Sequence, residues 1–168
     1  MADYFCSHPQ FDFYIAGFGK LEDFFIQAAS NHANIHFLGK ISYASALALE
    51  KQCDIMTAIY DPEIENHKFA APNKFYEALM LGKPLIMVKN TGMSDIVKKN
   101  SLGAVIDYSA EGFANGMEKV IGLKTNWGVI STKMQSIYHN HFSWDEMKKR
   151  LINAYSEILT IPQQQENI

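Results

Sequence analysis

The chain has 168 residues, 48% of them apolar and 20% charged, with a formal net charge of −3. That is enough for one domain with a real core and too little for a two-domain enzyme. Its apolar runs stop far short of the roughly 20 residues a membrane-spanning helix needs. No signal peptide is visible, so a cytoplasmic chain is expected. The slight acidity argues against nucleic acid as a partner, because duplex binding runs on Lys and Arg neutralising phosphates. Cys6 and Cys53 are too few and too unpatterned for a disulfide framework or a zinc site.

In chain order, Met1 to Gln10 read as the end of a helix, and a first apolar run follows at Phe11 to Ala16. Leu21 to Asn31 is helical in period, with Leu21, Phe24, Phe25 and Ala28 on one face. Next come a strand at Ile35 to Leu38, an Ala- and Leu-rich helix at Tyr43 to Gln52 with charges at its end, and a strand at Asp54 to Ile59. Asn73 to Leu81, Pro84 to Val88, Gly92 to Asn100 and Gly103 to Ile106 continue the alternation. Strands that alternate with helices, and that read as continuous apolar runs, predict a parallel sheet covered by helices on both faces. After Tyr108 only helices are expected, at Ala110 to Gly122, Val129 to Tyr138 and from Ser143. The last begins with Ser143-Trp144-Asp145-Glu146, which fits a capping box. Its Trp144, Met147, Leu151, Tyr155 and Ile158 form a stripe that should pack on something. One domain over 1–161 and a frayed tail over 162–168 are expected.

In an open parallel sheet, ligands sit at the carboxyl ends of the strands, where helix N-termini present free amides and a positive dipole. Three connections there stand out. Gly17-Phe18-Gly19 after the first strand is either a phosphate-approaching turn or a plain tight turn, since the third glycine of a dinucleotide fingerprint is missing. Gly39-Lys40-Ile41 follows the second strand. Tyr60 to Ala71 is long for a strand-to-helix connection, and such loops are functional or disordered. Its Asp61, Glu63, Glu65, Asn66, His67 and Lys68 match no hard-cation loop. The loop closes into Pro72-Asn73-Lys74-Phe75-Tyr76-Glu77-Ala78-Leu79. Glu77, one turn into that helix, is either a carboxylate for a diol such as a ribose 2′,3′ pair or a solvated carboxylate stabilised by the dipole.

These segments together resemble the carboxyl-terminal domain of glycosyltransferase family 4, retaining GT-B enzymes that use nucleotide sugars. The likeness runs from about Asp12 to Leu159. Tyr14 to Gly19 looks like the family's strand ending in a Gly-x-Gly turn, Ile35 to Gly39 like its next strand, and Cys53-Asp54-Ile55 like the start of the following one. Pro72-Asn73-Lys74, Glu77-Ala78 and Gly82-Lys83-Pro84 resemble the form found in many polysaccharide-building members. Phe142-Ser143-Trp144 and the final helix look like the terminal segment, which packs back toward the amino-terminal domain.

The resemblance implies a Rossmann-like donor-binding domain whose Glu77 holds the ribose hydroxyls and whose Gly39, Lys40 and Ile41 line the base. Gly17 and Gly19 would border the diphosphate, while Asn66, Pro72, Asn73, Lys74 and Phe75 face the sugar and its phosphates. The donor would be UDP- or GDP-linked and the acceptor a saccharide or lipid-linked group, with no bound metal or other cofactor and no catalytic residue assigned. The amino-terminal half of such an enzyme supplies the acceptor site, so this chain alone is expected to transfer nothing. In the full-length enzyme the location would be cytoplasmic, peripheral to the inner membrane. Two departures stand out. Where many relatives carry a glutamate for the donor sugar, eight residues before Glu77, this chain has Phe69. The family's first strand, which would lie between the strands at Phe11 and Asp54, is missing, and Met1 is either a true start or an internal methionine of a longer protein. Those two strands then either pair directly or flank a gap filled by another chain or further residues, and an uncovered edge would favour self-association. A GT-B nucleotide-sugar epimerase half and a non-catalytic interaction module are the alternative readings.

Overall fold

The structure is a computed structural model that describes residues 1–160. The tail expected over 162–168 lies outside the described residues. A short helix α1 (Ala2–Ser7) leads into β1 (Phe13–Ile15), α2 (Glu22–Asn31), β2 (Ile35–Phe37), α3 (Tyr43–Gln52) and β3 (Met56–Ala58). The long connection contains a small helix, α4 (Glu65–Phe69), and is followed by α5 (Asn73–Leu81), β4 (Leu85–Val88), α6 (Ser94–Asn100) and β5 (Gly103–Ile106). The chain finishes with α7 (Ala110–Gly122), α8 (Trp127–Ile137) and α9 (Trp144–Thr160). All five strands fall inside the expected apolar runs, and all pairings are parallel.

The sheet is divided. β1 pairs with β2, while β3, β4 and β5 pair in that order. Of the two expectations for the strands at Phe11 and Asp54, direct pairing is therefore ruled out among the described residues. What joins the two parts is a shared apolar cluster, in which Phe5, Ile35, Ile86, Val88, Ile106 and Phe113 are buried and Phe13, Ile15 and Ile59 pack against them. α1 helps to bind the halves: the Phe5 ring stacks on Phe13 at 4.3 Å, and the Asn34 amide donates to the Phe5 and Phe11 carbonyls at 3.0 and 2.9 Å. A second cluster on the opposite face combines Met56, Leu85 and Met87 with Phe75, Leu79, Val97 and Met134. β4 serves both clusters, because successive strand side chains point to opposite faces. Each of its four residues is fully buried.

β4 and β5 pack so closely that only glycine fits at Gly103. Its φ is +152°, and a Cβ there would lie 2.1 Å from the Leu85 carbonyl oxygen. Gly103→Ala is expected to cost about 3 kcal/mol or more, by overpacking against rigid backbone. In a thermal melt this lowers Tm by roughly 6–12 °C.

Three expectations are corrected. The stripe of α9 is covered only in part at Met147, which is half-buried, while Trp144, Leu151, Tyr155 and Ile158 are 71%, 52%, 61% and 64% exposed. The helix leaves the body after its first turn and finds no cover among the described residues. Its start forms half of the expected capping box. The Glu146 amide donates to Ser143 Oγ at 3.4 Å, but the Ser143 amide is taken by the Tyr138 carbonyl, and the Glu146 carboxylate pairs with Arg150. The expected face of α2 is also split, since Phe25 and Ala28 are half-buried whereas Leu21 and Phe24 are 63% and 49% exposed. Among the described residues, no helix is long and apolar enough to cross a membrane.

Candidate functional site

The carboxyl ends of β1 and β2 are brought together by their pairing. The Gly17 amide donates to the Gly39 carbonyl at 2.8 Å, and the Lys40 ammonium lies 5.3 Å from the centre of the Phe18 ring. The two glycine turns are thus one structure. Gly19 takes a φ of +128° with open space around the missing Cβ, so the glycine serves the turn and leaves room beside it. A cleft of about 280 Å³ opens here, lined by Ile15, Gly17, Phe18, Lys20, Leu21 and Phe25. Its volume suits part of a small-molecule ligand, because pockets for whole ones run from roughly 300 to 1,000 Å³.

The carboxyl end of β3 carries the long connection, which is ordered by local bonds. The Glu63 amide donates to Asp61 Oδ1 at 2.9 Å, His67 Nδ1 is 2.9 Å from the Asp61 carbonyl, and the Gly92 amide donates to the His67 carbonyl at 3.0 Å. The connection therefore lies against the turn after β4, with Asn66 exposed on α4. Pro72 is buried and sets the entry into α5, and Asn73 is exposed at its first turn. This helix has no side-chain cap and no acidic residue in its first turn, so its free amides and dipole are available to an anion. By contrast, α2 behind the glycine turn starts with Glu22 and Asp23, which occupy its dipole.

Phe75 corrects an expectation. Its side chain is fully buried, edge-on to Tyr76 and Phe142 at 5.2 and 5.7 Å. The ring is part of the core and cannot face a sugar. Glu77 is also buried, at 6% exposure. The Lys74 ammonium bridges Glu77 Oε2 at 3.3 Å and Glu50 Oε1, with which it makes a close ion pair. The ammonium is thus directed at two carboxylates. Partial desolvation works against its charge, but the Glu50 and Glu77 carboxylates outweigh this and hold the Lys74 pKa above its ordinary value. The Tyr43 hydroxyl, at the first turn of α3, is held above the ordinary tyrosine value by desolvation and then by charge and hydrogen bonding from Glu77. Tyr43 thereby joins the region of Gly39, Lys40 and Ile41 to Glu77.

Glu50 and Tyr43 were not singled out from the sequence. Seven residues apart, they lie two helical turns from each other on the same face of α3. Glu50 is 8% exposed, and its Oε2 is buried without a hydrogen-bond partner among the described residues. The available signal was one acid among Ala46, Leu47 and Leu49 on the half-buried side of the helix. In the sequence it counts only as one of the charges at the end of that helix.

A family model described as Glycosyl transferases group 1 matches residues 4–122, from α1 through α7 and including every strand. No curated protein matches the chain.

Proposed function

The chain belongs to the group 1 glycosyl transferases, and from that premise we propose that it is the donor-binding domain of a retaining, family 4 type enzyme of polysaccharide synthesis. Membership implies a sugar donor and an acceptor. In this reading the donor is a UDP- or GDP-linked sugar, the acceptor is a saccharide or lipid-linked group in the cytoplasm, and a separate domain supplies the acceptor site.

The observation that carries the reading is Glu77, a buried carboxylate one turn inside a helix whose uncapped N-terminus stands at the carboxyl edge of the sheet. A ribose diol supplies two donors to such an acceptor, and hydrogen bonds to an ionised group are the stronger kind. The diphosphate then reaches the free amides of Asn73 and Lys74 at the start of α5. Gly17 and Gly19 border it, and the exposed Lys20 and Lys40 supply positive charge. The Lys74 charge is compensated by two carboxylates, so the helix amides carry most of the burden as negative charge develops on the leaving group. Gly39, Lys40 and Ile41, with Tyr43, lie where the base would rest. Asn66 and the Pro72 backbone lie on the sugar side.

The test is titration of the chain with UDP, GDP and their sugars, alongside an assay for transfer to saccharide acceptors. Binding without transfer is expected. Robust transfer by this chain alone would overturn the reading, since it leaves the acceptor site to another domain.

A further inference from the structure

Phe18 stands between the two glycines of the turn after β1, and neither core cluster includes it. Its ring is 75% exposed, so the fold gains little from burying it. The backbone that carries it is nevertheless fixed, because the Gly17 amide donates to the Gly39 carbonyl at 2.8 Å. Across that bond the Lys40 ammonium stands over the ring, 5.3 Å from its centre. One face of Phe18 is therefore turned toward the Gly39-Lys40-Ile41 segment. No atom lies within 4 Å of where a Cβ would sit on Gly17, Gly19 or Gly39, so the backbone leaves the approach to that face open. Single exposed apolar residues are ordinary. Phe18 is set apart by a planar face held in one direction, at the ligand edge of the sheet, with a cation over it.

We propose that Phe18 is the base platform of the donor site, its ring stacking on the base of a UDP- or GDP-linked sugar. The inference rests on the donor-site reading above, in which the base lies beside Gly39, Lys40 and Ile41, and it assigns the residue that holds the base plane. A cation over an exposed ring is weakly held, and the flexible lysine stem lets the ammonium swing aside without moving backbone. The base takes its place on the ring, and the ammonium turns to the negative charge of the diphosphate. Stacking uses the π-face that every base has, so the platform accepts pyrimidine and purine alike. The two glycines keep the approach open, and the ring between them supplies the contact.

Two substitutions test this by titration with UDP and GDP. Phe18→Leu keeps apolar bulk and removes the ring. It is expected to bind both nucleotides about tenfold more weakly than the wild type, with its melting midpoint unchanged because the ring is exposed. Phe18→Trp keeps a stacking face and is expected to bind within about threefold of the wild type. A base stacked on indole quenches its emission, so saturating GDP should quench this variant beyond any change in the wild type, whose tryptophans are Trp127 and Trp144. The proposal is overturned if Phe18→Leu binds like the wild type, or if its loss of affinity comes with a lowered midpoint and so reports a damaged turn. It is equally overturned if Phe18→Trp binds no better than Phe18→Leu or shows no added quenching. In each of these cases a wild type that binds nucleotide leaves the donor-site reading standing. A wild type that binds neither UDP nor GDP overturns that reading and this inference together.

Discussion

Glu77→Gln is expected to weaken binding of UDP and GDP by roughly ten- to a hundredfold, the loss of hydrogen bonds to an ionised acceptor being worth about 1.5–3 kcal/mol. The substitution keeps the shape of the side chain and removes its charge. It also leaves the Lys74 ammonium paired with Glu50, so the fold should survive. Calorimetric titration of wild type and variant at equal folded fraction checks this. Equal binding by the two would show that Glu77 is a structural carboxylate held by Lys74, and the ribose assignment would go with it.

Phe75→Ala is expected to show the opposite pattern. The ring is fully buried between Tyr76 and Phe142, and truncation of such a residue costs about 3–5 kcal/mol through lost burial and the cavity left behind. For a domain of this size Tm should fall by roughly 6–20 °C. Nucleotide affinity measured well below that midpoint should change by less than about threefold, because the ring touches core and not ligand. A Phe75 variant that kept its stability and lost nucleotide binding would return the residue to the donor site.

The neighbouring positions Phe75 and Glu77 show what the sequence could disclose. The pattern around Pro72-Asn73-Lys74 locates the start of a helix at the ligand edge, because proline, an uncapped first turn and the preceding strand are all local features. Whether a residue in that helix faces ligand or core depends on which way the helix is rolled against its neighbours. The Phe142 that covers Phe75 lies 67 positions further along the chain. The strands were legible for a related reason. Leu85 to Val88 is apolar at every position because both faces of β4 are covered. The break in the sheet was visible as two alternatives, and the pairing of β1 with β2 alone settles which of them holds within the described residues.

Glu50 was illegible for an electrostatic reason. An acid near the end of an Ala-rich helix is nearly always solvated, and its burial becomes tolerable only through Lys74, 24 residues away on another helix. The stripe on α9 failed in the other direction. Trp144, Leu151, Tyr155 and Ile158 have the right period to face a core, yet periodicity says only that a face is apolar and not that this chain covers it. Within α4, the fold supplies a helix where the sequence has little periodicity, built from bonds to Asp61 and to the turn after β4.

The most direct measurement is a structure of the chain with UDP or GDP bound. The ribose hydroxyls are predicted to lie within about 2.6–3.2 Å of the Glu77 carboxylate, with the phosphates on the amides that open α5 and the base toward Gly39 and Tyr43. A nucleotide seated instead in the cavity between β5 and α7, among Lys89, Asp107, Asn115 and Lys119, with Glu77 still paired with Lys74 and touching no ribose hydroxyl, would contradict the account.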